Sequence, residues 1–164
     1  MSLFDKYNEK QSGRERMNPP FVFIASMTYM AMVDGEVHER ELMSFADWFV
    51  SEGEAEDACR AALKYVQETT VEDFLMAAAP ILTEDQKLCL LANMLDVLFA
   101  DGFADPSEQE LFFLFCEAFR VREEEYRPFV QAAIIKNNRS LFFGAGFDPD
   151  EASDEEGADA PDEG

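Results

Sequence analysis

Positive charge is scarce in this chain of 164 residues. It has 13 Lys and Arg against 35 Asp and Glu, which gives a formal net charge of −22. Nucleic acid and anionic membrane surfaces are therefore disfavoured as partners, because both are bound through lysine and arginine. The charge favours cations and basic protein surfaces instead. Nine of the acids lie in residues 147–164, which hold no Lys or Arg, so residues 1–146 carry −13.

The chain also lacks a long apolar segment and paired cysteines. Its longest apolar run, residues 21–33, has 13 residues, whereas a membrane-spanning helix needs about 20. We therefore expect a buried helix there and no transmembrane segment. Three scattered cysteines without a CxxC pair are typical of reduced thiols in the cytosol. The first 16 residues are charged and lack the apolar core of a signal peptide, so we expect a soluble, cytoplasmic protein.

Motifs that carry catalysis are missing as well. The sequence has no glycine-rich phosphate loop, no Ser or Cys nucleophile elbow and no Cys/His metal cluster. A di-iron carboxylate bundle needs two Glu-x-x-His pairs, but His38 is the only histidine. Cys116 lies in a predicted helix without an activating partner, so we expect a buried, inert thiol. We therefore expect no enzyme activity.

No segment alternates with the period of a strand, and apolar residues recur at spacings of three and four. This pattern predicts an all-α fold, a duplicated helical bundle of about seven to eight helices. We predict helices over residues 21–33, 38–51, 55–67 and 123–137, and a short helix that is capped by Thr70 and ends near Pro80. A further helix begins at the capping box Thr83-Glu84-Asp85-Gln86 and ends at Asp101. The next begins at Asp105-Pro106-Ser107-Glu108, with Asp105 as the cap, and continues through residues 111–119. The predicted domains are an N-terminal segment (1–17), a helical domain (18–146) and a disordered acidic tail (147–164).

An Asp-Gly turn followed by a glutamate is present twice. Asp34-Gly35 precedes Glu41, and Asp101-Gly102 precedes Glu108; in each copy the glutamate lies seven residues after the aspartate. The copies are 67 residues apart, and each follows an apolar helical run and begins another helix. The pattern therefore indicates an internal duplication.

The spacing within each copy is that of part of a calcium loop. An EF-hand has Asp-Gly at its fifth and sixth positions and a bidentate Glu at its twelfth. The first and third ligand positions hold hydrocarbon or thioether side chains in both copies: Met30, Met32, Val97 and Phe99. What remains is half a site in each copy. Asp34, Glu41, Asp101 and Glu108 are thus candidate ligands for a divalent ion such as Ca²⁺, Mg²⁺, Mn²⁺ or Zn²⁺.

The same residues also fit a purely structural interpretation. Gly35 and Gly102 can end helices, and Glu41 and Glu108 can complete N-terminal capping boxes. His38 is either a Zn²⁺ ligand beside Asp34 or simply polar. The sequence leaves these alternatives open, because a duplicated fold also duplicates its caps.

Two aromatic segments have alternatives of their own. The Phe-rich run 111–115 is expected in the core, with a cofactor pocket as the second interpretation. The strip 141–147 (Leu-Phe-Phe-Gly-Ala-Gly-Phe) either docks onto the chain's own groove or binds a partner, with the acidic tail steering association.

An apolar helix that ends in Asp-Gly, followed by a charged spacer, a Glu and a second helix, resembles the TerB family of tellurite-resistance-associated proteins. The matching segments are 30–42 and 97–108, and the resemblance covers roughly residues 19–137. A similar fold occurs in the N-terminal region of DjlA-like membrane co-chaperones. The second turn departs from the first, with Asp105-Pro106 where the first has His38-Glu39.

The resemblance implies an all-helical, duplicated domain without catalytic activity that binds divalent metal at its Asp-Gly turns. Its candidate ligands here are Asp34, Glu41, Asp101 and Glu108. It also implies a partner-binding role in bacterial stress or metal-resistance assemblies, often near the membrane. The alternative function is a metal-dependent hydrolytic or small-ligand-binding helical protein that uses the clustered carboxylates.

Overall fold

The computed structural model of the chain describes residues 17–33, 39–49, 52–100 and 104–142, and these residues form helices joined by short turns without a strand. Within these residues, seven α-helices follow one another: α1 Pro19–Val33, α2 Glu39–Ala46, α3 Glu52–Glu68, α4 Val71–Ala78, α5 Glu84–Leu98, α6 Pro106–Phe119 and α7 Glu123–Asn137. A short 3₁₀ helix, Arg139–Phe142, comes after α7. The all-α prediction is confirmed.

The helices repeat as a three-helix unit. Shifting α1, α2 and α3 by 67 residues places them over 86–100, 106–113 and 119–135, which overlap α5, α6 and α7. The packing repeats too, since α1 packs on α2 and α3, and α5 packs on α6 and α7. The two units meet where α1 contacts α5 and α6 and where the connecting helix α4 contacts α6. The duplicated Asp-Gly turns therefore join equivalent helices, α1 to α2 and α5 to α6.

Helix α1 is the central element of the core. Residues 22–30 are all buried, as a helix that is apolar on every side requires. Its two buried hydroxyls are satisfied within the helix: Ser26 Oγ donates to Val22 O and Thr28 Oγ1 donates to Ile24 O, both at 2.7 Å. The run 21–33 is thus a buried helix, as predicted.

An aromatic cluster around Phe74 ties the two units together. Phe74 is fully buried in α4, and its ring centroid lies 5.1 Å from that of Tyr29 and 6.2 Å from that of Phe115. Tyr65 of α3 lies 6.1 Å away on another side. The Tyr29 hydroxyl donates to Thr69 O at 2.8 Å, and burial raises the pKa of Tyr29 to about 12. One side chain therefore contacts helices of both units.

Several predicted boundaries are corrected by the structure. Helix α2 ends at Ala46 rather than at residue 51, because Trp48 N and Phe49 N donate to the carbonyls three residues earlier and close the last turn. Helix α3 begins at Glu52 rather than at residue 55, so Gly53 lies in its first turn, where no amide yet needs an intrahelical acceptor. Helix α5 ends at Leu98, short of the predicted Asp101.

The predicted domain limits are only partly within the described residues. Apart from Met17, the N-terminal segment 1–17 lies outside them, and so does the acidic tail 147–164. Of the strip 141–147, the structure describes Leu141 and Phe142, and both side chains are exposed. The division of the chain into segments therefore stays a prediction.

Candidate functional site

The second Asp-Gly turn is followed by a complete helix cap. Asp105 precedes α6, and its Oδ1 accepts a hydrogen bond from Ser107 N at 2.8 Å. In return, Glu108 Oε2 accepts from Asp105 N at 3.1 Å, and Pro106 occupies the first helical position. This reciprocal arrangement satisfies amides that the first turn of a helix leaves without a partner. Glu108 therefore has the capping role that the structural interpretation predicts.

The bond in which the third helical residue accepts from the amide of the residue before the helix is also present at two helices that no Asp-Gly pair precedes. At α5, Gln86 Oε1 accepts from Thr83 N at 2.9 Å. At α7, Glu125 Oε2 accepts from Arg122 N at 2.9 Å, a bond that lowers the pKa of Glu125. A Glu or Gln at the third helical position is thus a recurring cap in this fold. The position of Glu108 alone does not require a metal to explain it.

The structure describes one of the four predicted metal ligands in full. Glu41 is the third residue of α2, as Glu108 is of α6, but its side chain is outside the described residues. Asp34 and Asp101 are outside them as well, and so is His38. The structure therefore neither brings the four carboxylates together nor separates them, and this set of ligands stays a prediction.

Carboxylates near the second turn have partners within the protein. Asp96 Oδ2 accepts from Lys136 Nζ at 2.8 Å, which ties α5 to α7, and Asp105 caps α6. Across residues 17–33, 39–49, 52–100 and 104–142, no group of three or more His, Cys, Asp or Glu side chains is close enough to hold a metal ion. A cation at the second turn would have to share Glu108 with the helix cap.

The four residues at the missing ligand positions of the calcium loops lie in the apolar core or pack against it. Met30 is fully buried in α1, and Met32 is half-buried against the core. Val97 and Phe99, at the end of α5, pack against the core in the same way. None of these four side chains offers the oxygen that a hard cation needs. Neither copy is a complete EF-hand.

Cys116 is buried in α6, as predicted. Burial raises the pKa of its thiol to about 12, so the reactive thiolate is disfavoured at neutral pH. The Phe-rich run around it is only partly core. Leu111, Phe112 and Phe115 are buried, whereas Phe113 and Leu114 are 52% and 37% exposed. The prediction that the whole run lies in the core is therefore wrong for these two residues, because they lie on the outer side of α6.

Three of the grooves between the described helices are lined largely by apolar residues. The largest, about 610 Å³, lies between α5, α6 and α7 and is lined mainly by apolar residues together with Gln109 and the ion pair Glu123–Arg127. A second, about 250 Å³, has Pro19, Trp48 and Cys89 in its lining and no charged residue.

The third groove, about 350 Å³, lies between α4 and α6. Its lining residues are Glu72, Leu75, Met76, Ala79, Leu114, Glu117 and Ala118. Sequence reasoning missed all three grooves, because each depends on how two or more helices pack against one another, which local patterns do not show. The unbroken apolar run 74–79 is more than one face of a helix can bury, and it is a sequence signal for an exposed apolar residue beside the third groove.

The described helices all fall short of the length and apolarity that crossing a membrane requires.

The family model for tellurite resistance protein TerB matches residues 21–130. This range begins in α1 and ends in α7. It includes both Asp-Gly pairs and most of the residues that line the three grooves. No curated protein and no solved structure matches the chain.

Proposed function

This chain belongs to the TerB family, and we propose that it is a non-enzymatic, cytoplasmic protein-interaction domain of a bacterial tellurite- or metal-stress response. One observation carries the proposal: large apolar side chains are exposed on the helices of an acidic body. Met76 and Leu114 are 79% and 37% exposed, and they line the same groove between α4 and α6. Exposed apolar side chains that group into patches mark sites of protein association.

Charge supports a basic partner. Residues 1–146 carry −13, and residues 147–164 add nine acids without a Lys or Arg. Such a surface attracts positively charged proteins and speeds their association. A partner with a Lys- or Arg-rich surface is therefore favoured over nucleic acid.

Divalent-cation binding at the Asp-Gly turns is a second part of the proposal. Carboxylates suit hard cations, and Asp34, Glu41, Asp101 and Glu108 supply two at each turn. We expect the first turn to bind more tightly. At the second turn Glu108 is engaged in the cap of α6 and Pro106 stiffens the backbone, whereas the first copy has no proline between Asp34 and Glu41.

The interaction role is tested in the source organism. The gene is deleted and restored as the full chain, tellurite tolerance is measured, and chemical crosslinking identifies proteins bound to the restored chain. We expect lower tolerance in the deletion strain and a reproducible crosslinked partner. Unchanged tolerance together with no crosslinked partner would contradict the proposed role.

Cation binding is tested by calorimetric titration with Ca²⁺, Mg²⁺, Mn²⁺ and Zn²⁺. We expect Asp34→Ala to weaken binding more than Asp101→Ala. Asp85→Ala, a change of an exposed acid in the first turn of α5, is the matched control. Absence of binding below millimolar concentration, or binding unchanged in the double variant Asp34→Ala/Asp101→Ala, would contradict the metal proposal.

A further inference from the structure

The groove between α4 and α6 has the shape and chemistry of a docking site for a helix. Its floor is formed by Leu75, Ala79 and Ala118, which are buried or half-buried. Met76 of α4 and Leu114 of α6 also line the groove and are 79% and 37% exposed. Two of the lining residues are alanines, whose small side chains leave room for those of an incoming segment.

Two helix faces converge on this groove. Glu72, Leu75, Met76 and Ala79 recur at the spacing of one face of α4, and Leu114, Glu117 and Ala118 at that of one face of α6. The lining residues span positions 72–79 at α4 and 114–118 of α6, so the two faces are about 12 and 8 Å long. Two turns of a partner helix would cover them, and a peptide of about four turns is long enough to span the groove.

Acidic side chains flank the apolar floor. Glu72 and Glu117 line the groove and are exposed to solvent. Glu110 and Phe113 continue the same outer face of α6 one turn earlier. Arg120 follows α6 but does not line the groove. Of the three grooves, this one has a net negative lining, since the largest contains a Glu123–Arg127 pair and the second contains no charge.

We propose that the α4–α6 groove binds an amphipathic helix of a partner protein, with leucine-like residues on its apolar face and lysine or arginine beside them. The inference rests on the proposed interaction role and names the surface and the partner's chemistry. Helices bind grooves through apolar residues at spacings of three and four, and an exposed Met adapts to varied apolar surfaces. Glu72 and Glu117 supply the charge that selects a basic helix.

The same charges disfavour two other occupants. A second copy of this chain would bring another body of charge −13 against the two glutamates. The chain's own acidic tail would bring up to nine further acids to the same rim. Like charges placed together in an interface oppose association. A basic helix is therefore the occupant that the groove fits best.

The test uses the full chain and a labelled Leu/Lys amphipathic peptide of about four helical turns, with binding followed by fluorescence anisotropy. A Leu/Glu peptide of the same pattern is the control ligand. Met76→Gln and Leu114→Gln each replace one large apolar side chain of the groove lining by a polar one. Ile135→Gln, a change of an apolar residue on α7 that is 67% exposed and does not line the groove, is the matched control. Urea denaturation verifies that each variant folds. If Leu114→Gln does not fold, the binding of Met76→Gln alone tests the proposal.

We expect the Leu/Lys peptide to bind and the Leu/Glu peptide not to bind. Each groove substitution should weaken binding about tenfold or more, as loss of a central apolar contact does, while Ile135→Gln leaves it within about twofold. The double variant Glu72→Gln/Glu117→Gln should bind more weakly and with less dependence on salt. Glu56→Gln/Asp57→Asn, near the start of α3 and outside the groove lining, changes the net charge equally and should bind as the parent does.

Several results would overturn the inference. These are no peptide binding, equal weakening by Ile135→Gln, or self-association in sedimentation that Met76→Gln abolishes, which would make a second copy the occupant. A partner crosslinked in cells whose binding is insensitive to Met76→Gln and Leu114→Gln would refute the groove and leave the interaction role intact. Peptide binding at the groove without any crosslinked partner would support the surface and contradict the proposed role.

Discussion

Substitution of Glu108 separates its role as a helix cap from a role as a metal ligand. In the structure, Glu108 Oε2 accepts from Asp105 N at 3.1 Å at the start of α6. Glu108→Ala removes this bond, which costs about 1 kcal/mol of stability. It also removes a negative charge at a helix N-terminus, which costs about 0.5 kcal/mol. We therefore expect the free energy of unfolding to fall by about 1.5 kcal/mol.

Glu108→Gln should retain the cap, because Gln86 makes the equivalent bond to Thr83 N at 2.9 Å at the start of α5. This variant loses only the charge, so the expected cost is about 0.5 kcal/mol. Gln86→Ala is the matched control for the cap alone and should cost about 1 kcal/mol. The assay is urea denaturation followed by circular dichroism in the presence of EDTA.

Repeating the denaturation with a divalent cation tests the second role. A cation at 100 times its dissociation constant stabilises the folded state by about 2.7 kcal/mol. If Glu108 is a ligand, Glu108→Gln loses much of this increment although it keeps the cap, and Gln86→Ala keeps the increment. If Glu108→Ala is as stable as the parent chain in EDTA, the capping interpretation is refuted.

Three further predictions follow from the core, the buried thiol and the tail. Phe74→Ala should lower the free energy of unfolding by about 3–5 kcal/mol. Met76→Ala, on the same helix but exposed, is the control and should change it by less than about 0.5 kcal/mol. A loss below about 1 kcal/mol for Phe74→Ala would contradict its burial between the two units. Because burial raises the pKa of Cys116 from 9.0 to about 12, the native state holds this proton more tightly, so stability should fall as pH rises from 9 toward 12. Cys116→Ala should make that fall shallower in urea titrations at several pH values, and an unchanged slope would count against it. Deletion of residues 147–164 should change thermal stability by less than about 1 kcal/mol in calorimetry, and a larger loss would mean that the tail packs.

Much of the fold follows from local sequence signals. Residues 21–33 are apolar on every side, which leaves a buried central helix as the favoured state, and the structure has one there. Thr83 with Gln86, and Asp105 with Glu108, identify the starts of α5 and α6 because both capping partners are present in the sequence. The 67-residue offset between the turns predicts the repetition of the three-helix unit.

The rest depends on tertiary contacts that local patterns do not contain. Phe49 continues the apolar stripe of α2, yet it follows the helix in a turn. The centroid of its ring lies 5.2 Å from that of Phe23. Phe113 and Leu114 look like core residues until the position of α6 shows that they lie on its outer side. The groove beside Leu114 depends on α4, which is some 40 residues away in the chain.

A photo-crosslinking residue placed at position 114 of the full chain tests the interaction role and its surface together. The same residue at position 135, an exposed apolar position on α7, is the control. After irradiation in the source organism, the crosslinked peptides are identified by mass spectrometry. We expect position 114, but not position 135, to capture a Lys- or Arg-rich amphipathic helix. Capture of the same segment from both positions, or of an acidic segment at position 114, would contradict a basic helix docked between α4 and α6.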